Sequence, residues 1–391
     1  MRHNIKKELT RSMDELHFSR ETKESMVDML LTQAKEQNIK RTYTNRKRLT
    51  LVPVAAAMLV MTLTGAAVFT RWSKTAQNTY NPSEEIKSQA EKSGLSVMLE
   101  ETKGTENPNE VLSVTDNGIT VTAVQTIVDN YGAELIFRVE GFELPEGKLP
   151  SSWPSVTIDG KDHFGGSQSG WFYDGLTTNE EGKTVYAATG LPVQSDETGC
   201  LILDYVADDG SMEYIYHINF EETDGWFFGK EIAFTFHSFD FQSEQKAGPS
   251  IPQVEGNWEL KWTLTGTEDH ISITPNANIG DSDVILLDAE IGQLSLRTRY
   301  QLKDYWEGWD ELVELPQAVC GIRLKDGSEH ICAPSTSGFE DQENMIYFIE
   351  SRMFDTILDV NQVESLMFHK GWENDANGNP TVQTFYYIPI Q

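Results

Sequence analysis

The stretch from Leu51 to Phe69, LVPVAAAMLVMTLTGAAVF, runs nineteen residues without a charge and divides a 391-residue chain into two chemically different parts. As a helix rising 1.5 Å per residue it would reach about 28 Å, close to the thickness of a bilayer's hydrocarbon core. Pro53 falls in the first turn, where a missing N–H costs little. The expectation is a transmembrane helix over residues 49–71. Two other readings fit the run in part. A buried core helix can be this apolar. A cleavable secretory signal would share the alanine content and the small residues Gly65, Ala66 and Ala67, although nearly fifty residues precede the run, beyond the usual layout.

Charge is distributed unevenly about that run. Residues 1–48 carry 12 Lys and Arg against 7 Asp and Glu, whereas residues 73–391 carry 18 against 54. Lys40, Arg41, Arg46, Lys47 and Arg48 crowd one flank, with only Arg71 and Lys74 close to the other. Positive charge stays on the cytoplasmic side of a span. The expected placement is therefore the cell membrane, single-pass, with the N-terminus cytoplasmic and the C-terminal region extracellular. So acidic a C-terminal region would repel phosphate, which argues against nucleic acid as a direct partner. The basic segment suits topology and contact with the lipid bilayer.

Residues 1–48 read as a short helical hairpin. Ile5, Leu9, Met13 and Leu16 share one helical face, the pattern breaks at His17-Phe18-Ser19, and Ser19 can cap a second helix with Met26, Val27, Leu30, Leu31 and Ala34 on its apolar side. Such a hairpin buries little surface alone, which points to a partner. Residues 72–110 are polar, with a Pro82-Ser83-Glu84-Glu85 capping pattern, and read as a stalk or a short surface helix. From Val111 onward apolar and polar residues alternate in short runs such as GITVTAVQTIVD, AELIFRVEGF, EYIYHINFE and EIAFTFHSFDF, with Gly, Asp and Asn at the joints. In the first run Val121, Ala123 and Gln125 are expected on one face. QKAGPSIPQVEG, residues 245–256, reads as an interdomain linker or a strand-edge crossing, and NWELKWTLTG opens a second strand-rich region.

The expected fold is mainly β: the helical hairpin, one transmembrane helix, then two antiparallel β-sandwich (Ig-like) domains over 111–245 and 257–391.

Chemistry-bearing patterns are sparse. Cys320 and Cys332 flank Lys325-Asp326-Gly327, and a short turn there would set them opposite one another. A disulfide between them and a pair of reduced strand cysteines are both open readings; Cys200 is the odd thiol, expected buried in the strand CLILDYV. Tyr305-Trp306-Glu307-Gly308-Trp309-Asp310-Glu311 sets aromatic rings beside carboxylates as a sugar-cleaving cleft would, but adjacent residues rarely project into one cleft. Asp375-Ala376-Asn377-Gly378-Asn379 begins like a calcium loop, yet Pro380 and Tyr386 stand where glycine and glutamate belong. His217 and His237 sit in strands, and no paired His or Cys has zinc spacing. No nucleophile-elbow or phosphate-loop motif occurs. The expectation is a protein without catalytic residues, cofactor or metal.

The segment KELTRSMDELHFSRETKESMVDMLL, a basic connector, one Ala-rich run and a strand-rich remainder together resemble the membrane-anchored anti-sigma-like proteins of Gram-positive bacteria, whose exported part carries a domain of unknown function. The resemblance implies a regulator whose N-terminal helices hold a sigma factor until an outside cue or proteolysis releases it. Carried over residue by residue, Leu9, Met13, Leu16, Phe18, Met26 and Leu30 form the partner-binding surface. The chain departs from the zinc-binding members: residues 1–48 hold His3 and His17 but no cysteine, so that metal site cannot form. The other function the sequence allows is a cell-surface glycan- or protein-binding module without a sigma partner, taking an extracellular ligand.

Overall fold

Alternating apolar and polar residues become antiparallel strands throughout the computed structural model, which describes residues 72–99, 110–145, 147–162, 166–179, 183–197, 199–220, 225–243, 253–302, 319–332, 336–340, 346–374 and 380–390. Two short helices come first. Helix α1 (Lys74–Tyr80) starts at Ser73, whose Oγ accepts from the Ala76 N–H at 3.1 Å. Helix α2 (Glu84–Ser93) starts at Ser83, whose Oγ accepts from Ile86 N–H, with Glu84 and Glu85 complementing the positive end of the helix dipole. It stops at Gly94, in the left-handed region at φ +81°.

Among the described residues twelve strands follow, β1 (Ser96–Met98), β2 (Ser113–Asp116), β3 (Ile119–Val128), β4 (Gly132–Glu140), β5 (Lys148–Ser151), β6 (Ser155–Ile158), β7 (Ser167–Phe172), β8 (Leu176–Thr178), β9 (Thr184–Tyr186), β10 (Met212–Asn219), β11 (Glu231–Ser243) and β12 (Val254–Thr263); β8 and β9 pair only with each other, and the other ten build the first sandwich. One sheet runs β1-β3-β4-β10-β7 with β2 on β3, and the other runs β12-β11-β5 with β6 on β11. Between them lies a core rich in aromatic rings. Phe137 packs against Phe234 at 4.4 Å between centroids with the rings tilted by 33°, and Trp258 is buried with its indole N–H donating to the Ile119 carbonyl at 3.0 Å.

The second sandwich is built from β13 (Ile271–Ile273), β14 (Ala277–Asn278), β15 (Ile285–Ile291), β16 (Ser295–Gln301), β17 (Val319–Leu324), β18 (Glu329–Ile331), β19 (Thr336–Phe339), β20 (Tyr347–Met353), β21 (Val363–Asn374) and β22 (Pro380–Pro389). Its sheets are β13-β15-β16-β20-β19, with β14 on β15, and β18-β17-β21-β22. Leu286, Leu296, Ile322, Leu366 and Phe368 are among the side chains closing its core. Gly65–Gln391 forms one compact unit.

Several expectations change here. Among the described residues no helix is long and apolar enough to cross a membrane; α1 and α2 have 7 and 10 residues. The reading of a single-pass membrane protein, with its transmembrane segment, its two-sided charge logic and its extracellular placement, is corrected on that finding and is not carried further. The run from Leu51 to Phe69 that suggested it, and the helical hairpin of residues 1–48, lie outside the described residues.

Residues 72–99 are not an exposed stalk: Trp72, Ala76, Tyr80, Ala90 and Leu95 are buried in a third apolar cluster. Residues 257–263 do not open the second sandwich. They belong to β12, which pairs with β11 and puts Trp258, Leu260 and Trp262 into the first core. Residues 244–252 lie outside the described residues; the strands on either side, β11 and β12, are neighbours in one sheet. The expected strand CLILDYV forms only an isolated bridge from Leu201 to Ser195, and Leu201 is 50% exposed, because no neighbouring strand pairs along it among the described residues.

Candidate functional site

The third apolar cluster lies where α1, α2 and both sandwiches meet. Trp72, Ala76 and Tyr80 from the first helical segment, Ala90 and Leu95 from the second, Ile127 and Ile136 from the first sandwich, and Leu294, Met353 and Ile357 from the second bury one another there. Fully burying side chains of this size is worth roughly 1.5–3 kcal/mol each relative to exposure.

Ile127 and Ile136 reach the cluster through a β-bulge. Register between β3 and β4 shifts between Ala123 and Gln125. Val121 and Ala123 face the first core, but beyond the bulge Gln125 and Ile127 face the opposite side of the sheet, toward the helices. There Gln125 Oε1 accepts from the Ser73 N–H at 3.0 Å and its Nε2 donates to Ser96 Oγ at 2.8 Å. The backbone N–H of Thr75 donates to Glu213 Oε2 at 3.0 Å. The start of α1 is thus hydrogen-bonded to the outer face of the sheet.

Polar groups join the sandwiches directly. Asp129, at the β3–β4 turn, is 1% exposed and accepts from the N–H groups of Leu294 at 2.9 Å and Ser295 at 2.8 Å, from the Ser295 hydroxyl, and from the N–H groups of its own turn at Tyr131 and Gly132. A carboxylate of one sandwich therefore organises the β15–β16 turn of the other. Burial raises its pKa while these hydrogen bonds pull it down. Two glycines permit the close approach: a Cβ on Gly292 would stand 2.4 Å from Asp129 Oδ2, and one on Gly132 would stand 2.9 Å from Met353 Sδ. Tyr131 donates its hydroxyl to Glu290, and Arg297 lies 5.9 Å from the Tyr131 ring. Asn219 Nδ2 donates to the Ser351 carbonyl at 2.9 Å.

One row of this face differs from the rest. Across β7, β10 and β4, Ser169, His217 and Glu134 are directly opposed in register, with Ile127 next on β3. Exposure falls along the row, from Ser169, which is exposed, through partly covered His217 to Glu134, which is 2% exposed. Glu134 Oε2 has no hydrogen-bond partner among the described residues, and neither have Asn219 Oδ1 and Ser351 Oγ nearby. Burial pushes the Glu134 carboxyl up to about 8 and the His217 imidazole down to about 4, since each charged form would give up water without gaining a counter-charge.

The positions singled out from sequence fare differently. Leu9, Met13, Leu16, Phe18, Met26 and Leu30 lie outside the described residues, as do Tyr305–Glu311 and Asp375–Asn379. Cys320 and Cys332 stand opposite one another, the Cys332 N–H donating to the Cys320 carbonyl at 2.9 Å, and Gly327 takes the left-handed turn position at φ +89°. Both thiols are free, as is that of half-buried Cys200. Burial pushes Cys320 up to about 11 and raises Cys332 as well, so neither is a thiolate at neutral pH. His237 Nε2 meets Ser155 Oγ at 2.8 Å on an exposed edge. Among the described residues no group of three or more His, Cys, Asp or Glu side chains is placed to hold a metal ion.

Sequence reasoning passed over Asp129 and Glu134. Asp129 was visible only as part of a turn. Glu134 carried a signal, because it alternates with Ile136 and Arg138 on one face of β4, and a large aliphatic between two charges marks a face that is partly covered.

No family model matches the chain, and no curated protein matches it. A solved structure described as the conserved domain protein from Bacillus anthracis is similar at 13% identity and a TM-score of 0.42, covering 72% of this chain and 91% of that one. A score that low supports no argument about fold or activity.

Proposed function

We propose that the protein is a non-enzymatic regulator of the anti-sigma type, in which the paired sandwiches form the sensing or binding module and residues 1–48 hold the sigma factor through Leu9, Met13, Leu16, Phe18, Met26 and Leu30. The observation that supports this reading is the place of α1 and α2. They follow the N-terminal segment in the chain and are packed into the junction shared by both sandwiches. A change in how the sandwiches meet would therefore act on α1 and α2. Coupling of this kind needs an element whose position both sites bias, and α1 with α2 is the candidate for it.

Co-purification tests it. The full-length chain at native expression is expected to bring down a sigma factor, and Leu9→Asp combined with Leu30→Asp is expected to lose at least ten-fold in recovered partner without altering the thermal stability of the β region. A wild-type preparation free of any sigma factor would discard the proposal.

A second reading, a glycan- or protein-binding module without a sigma partner, is favoured by three exposed indoles, Trp153 at 72%, Trp372 at 55% and Trp171 at 43%. Exposed aromatic faces suit stacking on sugar rings. Retention of the chain on a polysaccharide matrix, lost on replacing these tryptophans by alanine, would favour it.

A further inference from the structure

Glu134 stands between two covered rows of the sheet. On one side along β4 is Ile136, opposite Gln125, to which the first residue before α1 is hydrogen-bonded; on the other is Gly132, against Met353 of the second sandwich. Glu134 is 2% exposed, and the residues on either side of it along this face belong to the packing that holds α1 and α2 to the junction. Its cross-strand neighbour is His217, and directly opposed side chains in an antiparallel pair have Cβ atoms about 4.5–5.5 Å apart. We propose that Glu134 and His217 form a proton-sensitive latch: a proton held by the pair keeps the junction closed, and its loss loosens α1 and α2 from the outer face of the sheet.

Most other charged groups around the junction have partners of their own; Arg297 of the second sandwich, whose Nε has no hydrogen-bond partner among the described residues, is an exception. On α2, Lys87 is paired with Glu84 at 2.7 Å, and Glu91 accepts from the Trp72 indole at 3.0 Å. On β10, Glu213 accepts from Thr75. From the second sandwich, Glu290 accepts from Tyr131, and Arg297 lies against that ring. Asp129 is held by its ring of N–H donors. Glu134 Oε2 has no hydrogen-bond partner among the described residues, and the His217 ring lies 6.3 Å from that of Trp171, so burial favours the neutral form of each.

The sign follows from counting protons. Once the junction opens, the pair returns to ordinary values near 4.5 for the carboxyl and 6.5 for the imidazole. Between about 4.5 and 6.5 the open pair carries one proton, on His217, and the closed pair also carries one, on Glu134, so opening does not depend on pH. Above 6.5 the open pair loses its proton while the closed pair keeps one up to about 8. In that interval rising pH favours opening, by tenfold per unit and about 30-fold in all. Above about 8 both states are proton-free and the effect levels off.

Hydrogen exchange of the full-length chain between pH 5 and 9, corrected for the intrinsic exchange rate, reads the opening of residues 72–99. The wild type is expected to show an opening constant that is flat to about pH 6.5 and rises about 30-fold by pH 8, while β11 stays protected. Glu134→Gln, which keeps the shape and cannot ionise, is expected to remove the rise. His217→Gln leaves the carboxyl alone and is expected to show the rise already under way at pH 5, its onset moved below the measured range. Asp129 is common to all three proteins and cancels in the comparison. A rise of the same size in Glu134→Gln, an unmoved onset in His217→Gln, or a wild-type profile without a rise each overturns the proposal. The latch stands or falls independently of any sigma partner.

Discussion

At the scale of single residues, the junction depends on buried polar atoms, and their cost is set by whether each finds a partner. Asp129 finds five donors, two of them backbone N–H groups of the opposite sandwich. Asp129→Ala leaves the Leu294 and Ser295 N–H groups buried and unpaired, at roughly 1–3 kcal/mol for each group left without an acceptor. We expect a total loss of about 3 kcal/mol, read as a fall in the urea midpoint with an unchanged slope. Gly292→Ala is expected to weaken the same contact from the other side, since its Cβ would stand 2.4 Å from Asp129 Oδ2. Glu134 is the opposite case, a carboxyl with an oxygen left unpaired, and its stabilisation of the closed state is present in acid and lost as pH rises to about 8. Neither role could be read from residue type. Asp at a turn and Glu in a strand are ordinary residues, and it is burial in the folded molecule, for Asp129 against a turn more than a hundred positions away, that sets them apart.

At the scale of elements, local signals served well where local chemistry decides. Ser83 caps α2 as the Pro82-Ser83-Glu84-Glu85 pattern indicates, and Lys325-Asp326-Gly327 turns β17 into β18 with Cys320 opposite Cys332. Alternation located β3, β4, β10 and β11 from their apolar periodicity. It failed within β3, where the bulge after Ala123 turns Gln125 away from the first core. Nothing in the residues of β3 announces that bulge, because it exists to aim Ile127 and Gln125 at helices packed on the other face. The apolar alternation of CLILDYV likewise suggested a strand where no partner strand runs alongside. Residues 72–99 looked polar enough for a stalk, yet a few apolar side chains, Trp72 foremost, suffice to seat them. Trp72→Ala should cost about 3 kcal/mol by leaving a cavity in the junction cluster. The accompanying change should be faster proteolysis within residues 72–99, with the sandwich strands still protected; uniform destabilisation of both sandwiches would contradict this assignment.

At the scale of the whole molecule, Asp129, the Asn219–Ser351 contact and the apolar junction cluster bind the sandwiches into one unit. Calorimetry of the wild type is expected to give a single transition for the β region, and Asp129→Ala is expected to separate it into two. Two transitions already present in the wild type would mean that the junction contributes little. Residues 65–391 carry 19 Lys and Arg against 54 Asp and Glu, a net −35 whose self-repulsion acts throughout the unit. By itself the sequence determined the mainly β character, the positions of most strands, the helix cap at Ser83 and the turn at Gly327, because these follow from periodicity and from backbone preferences felt within a few residues. Tertiary structure alone decided that no helix among the described residues is long and apolar enough to cross a membrane, that β12 completes the first sandwich, and that Asp129 and Glu134 are buried, with His217 set opposite Glu134. Those outcomes depend on which faces become buried against distant segments, and burial is a property of the folded assembly of strands that no short window of sequence contains.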